Sequence, residues 1–579
     1  MQVLKNGLNS LKDGLQDGAE FDLVVIGAGG AGLSAAVFAA IDGAKVLVVE
    51  HTEYVGGTTA WSAGTTWVPC THHSARVNSS DTLADATTYL NHAVGDQAPA
   101  ALRDAFLKHG AEAVATIEAQ SSMKYRPYLK HPDYISDLPG STLNGRALEP
   151  VPFDGRFLGD LFPLLRPPIP EFTVLGGMMV DRTDINHLLG MTKSWASLKH
   201  SASILWRHLR DRLTHARGTR LVMGNALVAR LLHSFSQHAH ATLALKTSVD
   251  ALERDASGRV VSVILSSATG KIRVLAKRGV VLASGGFNRD PAIRAQKLPG
   301  IPEQWCPAAP GHTGKALALA RSMGAVEGQG AQSPAYWAPV SLRKRSDGST
   351  AVFPHFVMDR AKPGMITVNQ AGERFVNEST SYHLFALGMQ SAMQAIPSYL
   401  IADAKALRQY GMGMVRPGGK GLAPFLADGY LTEGNSLQAL ADQLGISAEG
   451  LAQAVANNNA FAQTGVDTQF QRGVTAYQQN IGDTAAGGRN PNLGEIIEGP
   501  FYAVKLYPGD IGAANGLQTN EHAQVLDAKG QAIDGLYAVG NDMNSIMDGV
   551  YPAPGITLGP GLVFAYLAVK NSGVKKASA

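Results

Sequence analysis

Short, uninterrupted apolar runs that stop at glycine punctuate this chain, with longer stretches of helical spacing between them. Residues 21–27 (FDLVVIG) form the first such run. Val and Ile without polar alternation predict a strand buried on both faces, as in a parallel sheet. Residues 30–42 have helical composition and residues 45–50 (KVLVVE) predict a second buried strand, so the three form a βαβ unit of about 30 residues. Residues 81–120 read as helical, and residues 122–170, rich in Pro, Gly and Tyr, as an irregular excursion. The runs at 241–252 and 260–267 are strand-like, and residues 279–287 (GVVLASGGF) repeat the buried strand that ends in a glycine turn.

From about Ser333 to about Pro500 the texture changes to more aromatic, less regular sequence with helical runs at 436–446 and 448–462. Residues 535–540 (GLYAVG) return to the earlier style, and residues 557–571 predict a closing apolar helix. No internal repeat or low-complexity tract occurs. The economical organisation is an α/β nucleotide-binding domain interrupted by a second, α+β domain: residues 1–332, then 333–505 as the insertion, then 506–579.

The 186–235 stretch is helical and mildly basic. Its simpler reading is a surface helix with a solvated cationic face. The sharper one is peripheral membrane contact through Trp195, Leu205 and Trp206 with flanking Lys and Arg.

Bulk properties narrow the function. A length of 579 residues predicts two to four domains, and 64 glycines imply many close backbone approaches. A formal net charge of +3 is too small for a nucleic-acid binder of this size and points to a small-molecule partner. Cys70 and Cys306 cannot build a disulfide framework, and no Cys/His spacing predicts a metal site. A reducing compartment is the simpler setting. The polar leader lacks a signal-length apolar core, and no stretch reaches the roughly 18 apolar residues needed to span a bilayer, so a soluble, cytoplasmic protein is expected.

The first glycine turn carries the chemistry. Gly27, Gly29 and Gly32 form GxGxxG between a predicted strand and helix, with Gly30 and Ala31 completing it. Gly27 permits the tight turn, Gly29 admits a pyrophosphate to the backbone, and Gly32 lets helix and strand pack closely. The helix N-terminus adds free N–H groups and a positive dipole end. Glu50 closes the second strand 18 residues after Gly32, where a carboxylate accepts both ribose hydroxyls. Dinucleotide binding follows, with NAD and FAD both open at this point.

Three later segments choose FAD by resemblance. Gly56, Gly57, Thr58, Thr59, Ser62, Ala63 and Gly64 resemble the GG[TS][TS]xxSxG segment of flavoproteins, whose hydroxyls and backbone reach the flavin and pyrophosphate. Ala283, Gly285 and Gly286, with Thr313 and Gly314, resemble the later FAD-contact strand and helix start. Gly540, Asn541 and Asp542 resemble the C-terminal strand end whose acidic residue lies near the ribityl chain. The chain thus resembles the succinate dehydrogenase/fumarate reductase flavoprotein superfamily over nearly its whole length, and within it the 1,2-desaturating 3-ketosteroid dehydrogenases. That likeness implies a Rossmann-like, glutathione-reductase-type FAD domain, with His51, Val249, Thr557 and Leu558 among the cofactor contacts.

Two places carry the finer likeness. In residues 372–382 (GERFVNESTSY) the position four after Glu378 holds Tyr382, where fumarate reductases have a proton-delivering arginine and ketosteroid dehydrogenases a proton-removing tyrosine. In residues 549–560 (GVYPAPGITLGP) Tyr551 stands four before Gly555, the pair that holds the ketone oxygen in ketosteroid dehydrogenases; Ala553 replaces a frequent glycine. Residues 510–515 (DIGAAN) replace a histidine-containing turn of the fumarate reductases.

A free tyrosine has a pKa near 10, so Tyr382 needs help to act as a base. The family supplies a second tyrosine, for which Tyr134 is the candidate and Tyr125 the rival. The resemblance implies proton removal by Tyr382, hydride transfer to flavin N5, a lipophilic ketone such as a steroid as substrate, and an external electron acceptor. Desaturation at the 4,5 position and reduction of a fumarate- or urocanate-type alkene are the alternatives. Tyr336, Trp337, Phe353 and Phe356 are candidate pocket aromatics, and His131, His312, His355 and His383 are read as structural or surface residues.

Overall fold

A computed structural model of the protein describes residues 1–5, 15–96, 98–267, 270–328, 332–357 and 359–573. Part of the polar leader, residues 6–14, lies outside them. Its first residues do more than the sequence predicted: Gln2–Leu4 pair in parallel with Ala241–Ala244 at the edge of the main sheet.

That sheet has nine strands among the described residues. At its centre Ala19–Ile26 lies parallel to Val46–Val49 on one side and Gly270–Leu282 on the other. Leu23, Val24 and Val25 are wholly buried, as the lack of polar alternation required. Helix Gly30–Ile41 covers one face and packs against helices Met223–Ser236 and Leu558–Asn571. Ser248–Arg254 and Val260–Ser267 extend the sheet antiparallel. Ala532–Ala538 pairs in parallel with the end of Gly270–Leu282, so the sheet is completed only by chain that returns after the insertion.

The insertion is a six-stranded antiparallel sheet covered by helices. Its central strand is Phe501–Ala513, paired with Ala335–Lys344, Ser398–Ala402 and Thr432–Gly434. The 505/506 division drawn from the sequence therefore falls inside one continuous strand.

The excursion at 122–170 is short strands and turns, pinned by a buried charge network. Arg146 lies between Asp81 at 2.6 Å and Asp133 at 2.9 Å, and Asp133 also accepts from the Trp67 indole. The basic stretch resolves into helices Arg182–Leu189, Trp195–Asp211 and Met223–Ser236. Leu205 packs partly inward beside Ile204, Val180 and Met178, which corrects its placement on the outer face. Among the described residues no helix is long and apolar enough to cross a membrane.

Candidate active site

The glycine turn adopts the geometry its spacing predicts. Gly27 has φ of +109°, and a Cβ there would meet the Ala283 carbonyl at 2.3 Å. A Cβ on Gly32 would sit 2.0 Å from the Gly27 oxygen, so helix and strand touch through these two residues. At Gly29 an added Cβ would meet nothing within 4 Å. Its outward face is open at the start of helix Gly30–Ile41, where the N-cap Gly29 makes no side-chain hydrogen bond and a pyrophosphate would have access to the backbone.

Grooves extend from this turn in both directions. One is lined by Gly27, Glu50, His51, Val249 and Thr313, the other by Gly540, Asn541, Thr557, Tyr336 and Ser545. Ala31 faces Gly540 and Gly561 between them, and Leu558 begins the closing helix beside Thr557. The Glu50 carboxylate accepts from Ala28 N at 3.0 Å and from both Thr52 donors at 2.8 Å. Three of its roughly four acceptor sites are thus taken, which leaves about one on a residue that lines the groove.

The hydroxyls of the second segment mainly shape their own turn. Thr58 Oγ1 accepts from Ala309 N and meets His312, Thr59 Oγ1 accepts from Gly30 N, and Ser62 Oγ accepts from Gly64 N. Gly57 opens this turn and Ala63 is exposed. Asp542 is occupied similarly: it accepts from Ser284 N, Ser284 Oγ and Gly286 N. Burial pushes its pKa up to about 6 against these three donors. Gly285 and Gly286, both at positive φ, abut His312 and Ala513, so this turn tolerates no side chain. The donors and cradles fit FAD: an open glycine backbone at a helix start, with a carboxylate-lined groove on one side and an Asn/Thr-lined groove on the other.

Three tyrosines from distant segments converge. Tyr382 is the first residue of helix Tyr382–Ser391, capped by Ser381. The preceding turn is held by the buried Glu378 carboxylate, which binds Arg374 at 2.6 Å and accepts from Thr367 N. Tyr134 donates its hydroxyl to that of Tyr382 at 3.3 Å. Its backbone N–H donates to Pro552 O at 2.7 Å, which ties the excursion to the residue after Tyr551. The Tyr551 ring lies 5.2 Å from Tyr382 and stacks at 5.8 Å on Tyr134. Tyr125, the rival, meets the Thr66 hydroxyl instead.

Gly555 has φ of +91°, and a Cβ there would lie 2.4 Å from the Thr65 oxygen. Its carbonyl accepts from Trp67 and Gly559, while no acceptor among the described residues meets its buried N–H. Burial raises the pKa of all three tyrosines, with the hydroxyls of Tyr382 and Thr557 pulling Tyr551 back down.

Of the pocket aromatics, Tyr336 lies 5.1 Å from Tyr551 and Phe356 lies 4.9 Å from Tyr382. Trp337 instead donates to Ser333, and Phe353 packs against Phe172 with the rings tilted by 57°. His383 is buried 6.0 Å from Tyr551 and accepts from Trp337 N. Burial lowers its pKa to about 4, so it is neutral near pH 7. Asp510 is taken up by Arg294 at 2.6 Å.

Sequence reasoning missed several supporting groups. Asn225 donates to Ala60 O at 2.8 Å, and a Cβ on Gly224 would lie 1.9 Å from Thr59 O, so helix Met223–Ser236 braces the second cofactor segment. Tyr477 packs 4.8 Å from Tyr134. His72 and His73 both bring Nε2 to the same Glu118 oxygen, at 3.0 and 2.7 Å, a convergence with no spacing signal because 45 residues separate His73 from Glu118. The other Glu118 oxygen accepts from Tyr125 N, and the trio reads as a hydrogen-bonded cluster.

Comparison with known proteins gives the family. Residues 22–558 match the model of the FAD binding domain family. The chain is 35% identical over 556 residues to 4-oxocyclohex-2-ene-1-carboxylate 5-dehydrogenase of Sinomonas cyclohexanicum, covering 95% of this chain and 93% of that protein. It is 33% identical over 570 residues to 3-oxosteroid 1-dehydrogenase of Mycolicibacterium smegmatis, covering 95% and 97%. The crystal structure of 3-ketosteroid delta1-dehydrogenase from Sterolibacterium denitrificans, in complex with 1,4-androstadiene-3,17-dione, superposes with a TM-score of 0.88 at 32% identity, over 96% of this chain and 99% of that one. The chain therefore belongs to the FAD-binding flavoprotein family of the 3-oxosteroid 1-dehydrogenases, and is an FAD-dependent oxidoreductase of the dehydrogenase kind.

Proposed function

We propose that the protein introduces a carbon–carbon double bond next to the ketone of a 3-ketosteroid or similar cyclic ketone. The convergence of Tyr134, Tyr382 and Tyr551 beside the unengaged Gly555 N–H carries this reading. The Tyr551 hydroxyl and the Gly555 N–H hold the ketone oxygen and stabilise the enolate that grows there; one such donor is worth about 2.7–4 kcal/mol. Tyr382, as its phenolate, takes the proton alpha to the ketone and becomes neutral, and the Tyr134 hydroxyl donates to the Tyr382 oxygen to hold that phenolate before the transfer. FAD, when bound, supplies the two-electron acceptor for the hydride from the beta carbon. An external acceptor then reoxidises the protein.

The substrate is lipophilic, and the helix Trp195–Asp211 is suited to meeting it at a lipid surface. Trp195 is 78% exposed and Trp206 64%, and with Leu198 and Leu209 they recur at helical spacing; Leu213, just past the helix end, is 83% exposed. Asp211 is the one acidic residue between positions 185 and 249, and it is buried against Thr219, so the exposed charges of this region are cationic. An apolar stripe with two Trp and a basic surround matches an anionic membrane interface.

The substrate reading is tested by anaerobic mixing with 3-ketosteroids, with 4-oxocyclohexanecarboxylate and, after prior reduction, with fumarate. Bleaching of the flavin by a steroid ketone, with a new double bond beside the ketone, supports it. Bleaching by the small oxo acid alone moves the substrate class, and reoxidation by fumarate with no steroid reaction overturns the reading.

A further inference from the structure

Arg360 is wholly buried, yet no carboxylate among the described residues lies within 4 Å of its guanidinium. Among the described residues its side chain donates to three main-chain carbonyls, His355 O at 3.2 Å, Phe356 O at 2.9 Å and Glu378 O, and the Tyr477 hydroxyl is a further side-chain neighbour. The neighbouring acids are engaged elsewhere. Asp359 holds His355 and Gly413 N, and Glu378 holds Arg374 and Arg472. Burial lowers the Arg360 pKa, but a guanidinium keeps its proton in proteins. Asp359 acts on this charge without forming an ion pair with it, and a buried charge lacking a direct ion pair is costly, so its retention calls for a group that benefits from it.

The surroundings indicate that group. Two of the three carbonyls Arg360 grips belong to Phe356, whose ring lies against Tyr382, and to Glu378, which holds the turn before Tyr382. The guanidinium lies over the Phe385 ring, one turn further along the Tyr382 helix, at 5.2 Å. It also stands beside the Tyr477 hydroxyl, which makes no hydrogen bond of good geometry and whose ring packs 4.8 Å from Tyr134. The other ionisable groups facing the tyrosine pair are Tyr551, Tyr336, Tyr128, His131 and His383, with Arg182 acting on His131 and Asp359 on Arg360. His131 and His383 have pKa values lowered to about 4 by burial, so neither carries charge near pH 7.

We propose that Arg360 is a positioning residue for proton abstraction: its unpaired buried cation, behind Tyr477, favours negative charge on the hydrogen-bonded Tyr134–Tyr382 pair. The inference rests on Tyr382 being the base. A phenolate in a low-dielectric site needs a compensating positive charge, and a fixed guanidinium supplies it without a proton of its own to lose. The start of helix Tyr382–Ser391 adds a smaller contribution of the same sign.

The test is the pH dependence of flavin reduction by a 3-ketosteroid in a single anaerobic turnover, using FAD-loaded wild type, Arg360→Gln, Arg360→Lys, Tyr477→Phe and Tyr382→Phe. Arg360→Gln should move the rising limb up by about one pH unit, roughly tenfold in rate below it, with recovery at high pH. Arg360→Lys should restore the wild-type limb, and tyrosinate ultraviolet absorbance should titrate with the same shift. A limb that stays in place while the rate falls equally at every pH would overturn the proposal and leave Arg360 a packing residue. If Arg360→Gln fails to retain flavin, Tyr477→Phe decides: an upward shift supports the route through Tyr477, and an unmoved limb overturns it. Tyr382→Phe separates the two claims. Full activity in that variant defeats the base assignment, whereas an inactive Tyr382→Phe with an unmoved Arg360→Gln limb defeats the Arg360 proposal alone.

Discussion

The Tyr134 hydroxyl donates to the Tyr382 hydroxyl across 3.3 Å, although the two residues are 248 positions apart in the chain. Tyr134 is held from both directions, by its own N–H on Pro552 O and by Asp133 locked onto Arg146 and Trp67. A hydrogen bond donated to a phenolate contributes about 1.5–3 kcal/mol, here toward the ionised form that Tyr382 needs before it can take a proton. Tyr134→Phe should therefore slow flavin reduction roughly 10- to 100-fold with flavin content unchanged, as read by stopped-flow absorbance. An unaltered rate would remove Tyr134 from the mechanism.

Two glycines of the same turn should respond oppositely to alanine. At Gly29 the new methyl enters open space, whereas at Gly32 it meets the Gly27 oxygen at 2.0 Å. Gly29→Ala should leave the stability of the flavin-free protein nearly unchanged and weaken FAD binding. Gly32→Ala should lower the unfolding midpoint of the flavin-free protein itself. Calorimetric titration with FAD and urea unfolding distinguish the two, and equal behaviour would contradict the pyrophosphate cradle.

Buried imidazoles set an acid limit. His312 and His383 have folded-state pKa values of about 4 against an ordinary 6.5, both through burial. Between these values the unfolded chain binds more protons, so stability falls as pH drops from about 6.5 to about 4. The loss is on the order of 3 kcal/mol per histidine. His383→Gln should flatten the slope of urea stability against pH in that window, and an unchanged slope would mean that His383 is already charged in the folded protein.

The exposed Trp195 and Trp206 make a lipid test direct. The protein should co-sediment with phosphatidylglycerol vesicles and not with zwitterionic ones, with binding reduced by salt and by Trp195→Ser/Trp206→Ser. Retention of the wild type in the supernatant with both vesicle types would rule out this surface role.

What was legible in the sequence followed from the range of the interactions involved. The strand Ala19–Ile26, its glycine turn and the helix after it are local, so apolar runs and glycine spacing were enough to place them. Tyr382, Tyr551 and Gly555 could be named only through family likeness, because nothing in a lone tyrosine's surroundings marks it. Tyr125 and Tyr134 were inseparable on sequence, and folding parts them: one meets Thr66 in a small sheet, the other Tyr382. Arg360, Tyr477 and Asn225 carried no signal, since each acts through chain that is distant in sequence. The 505/506 boundary failed for a related reason, as strand Phe501–Ala513 serves the inserted sheet and then leads back to the flavin domain without a break.

The most direct trial of the mechanism compares FAD-loaded wild type with Tyr382→Phe in one anaerobic turnover with a saturating 3-ketosteroid. The wild type should bleach its flavin, and the variant should do so about 10²- to 10⁴-fold more slowly at the same flavin content. Bleaching of Tyr382→Phe at the wild-type rate would contradict the assignment of Tyr382 as the base.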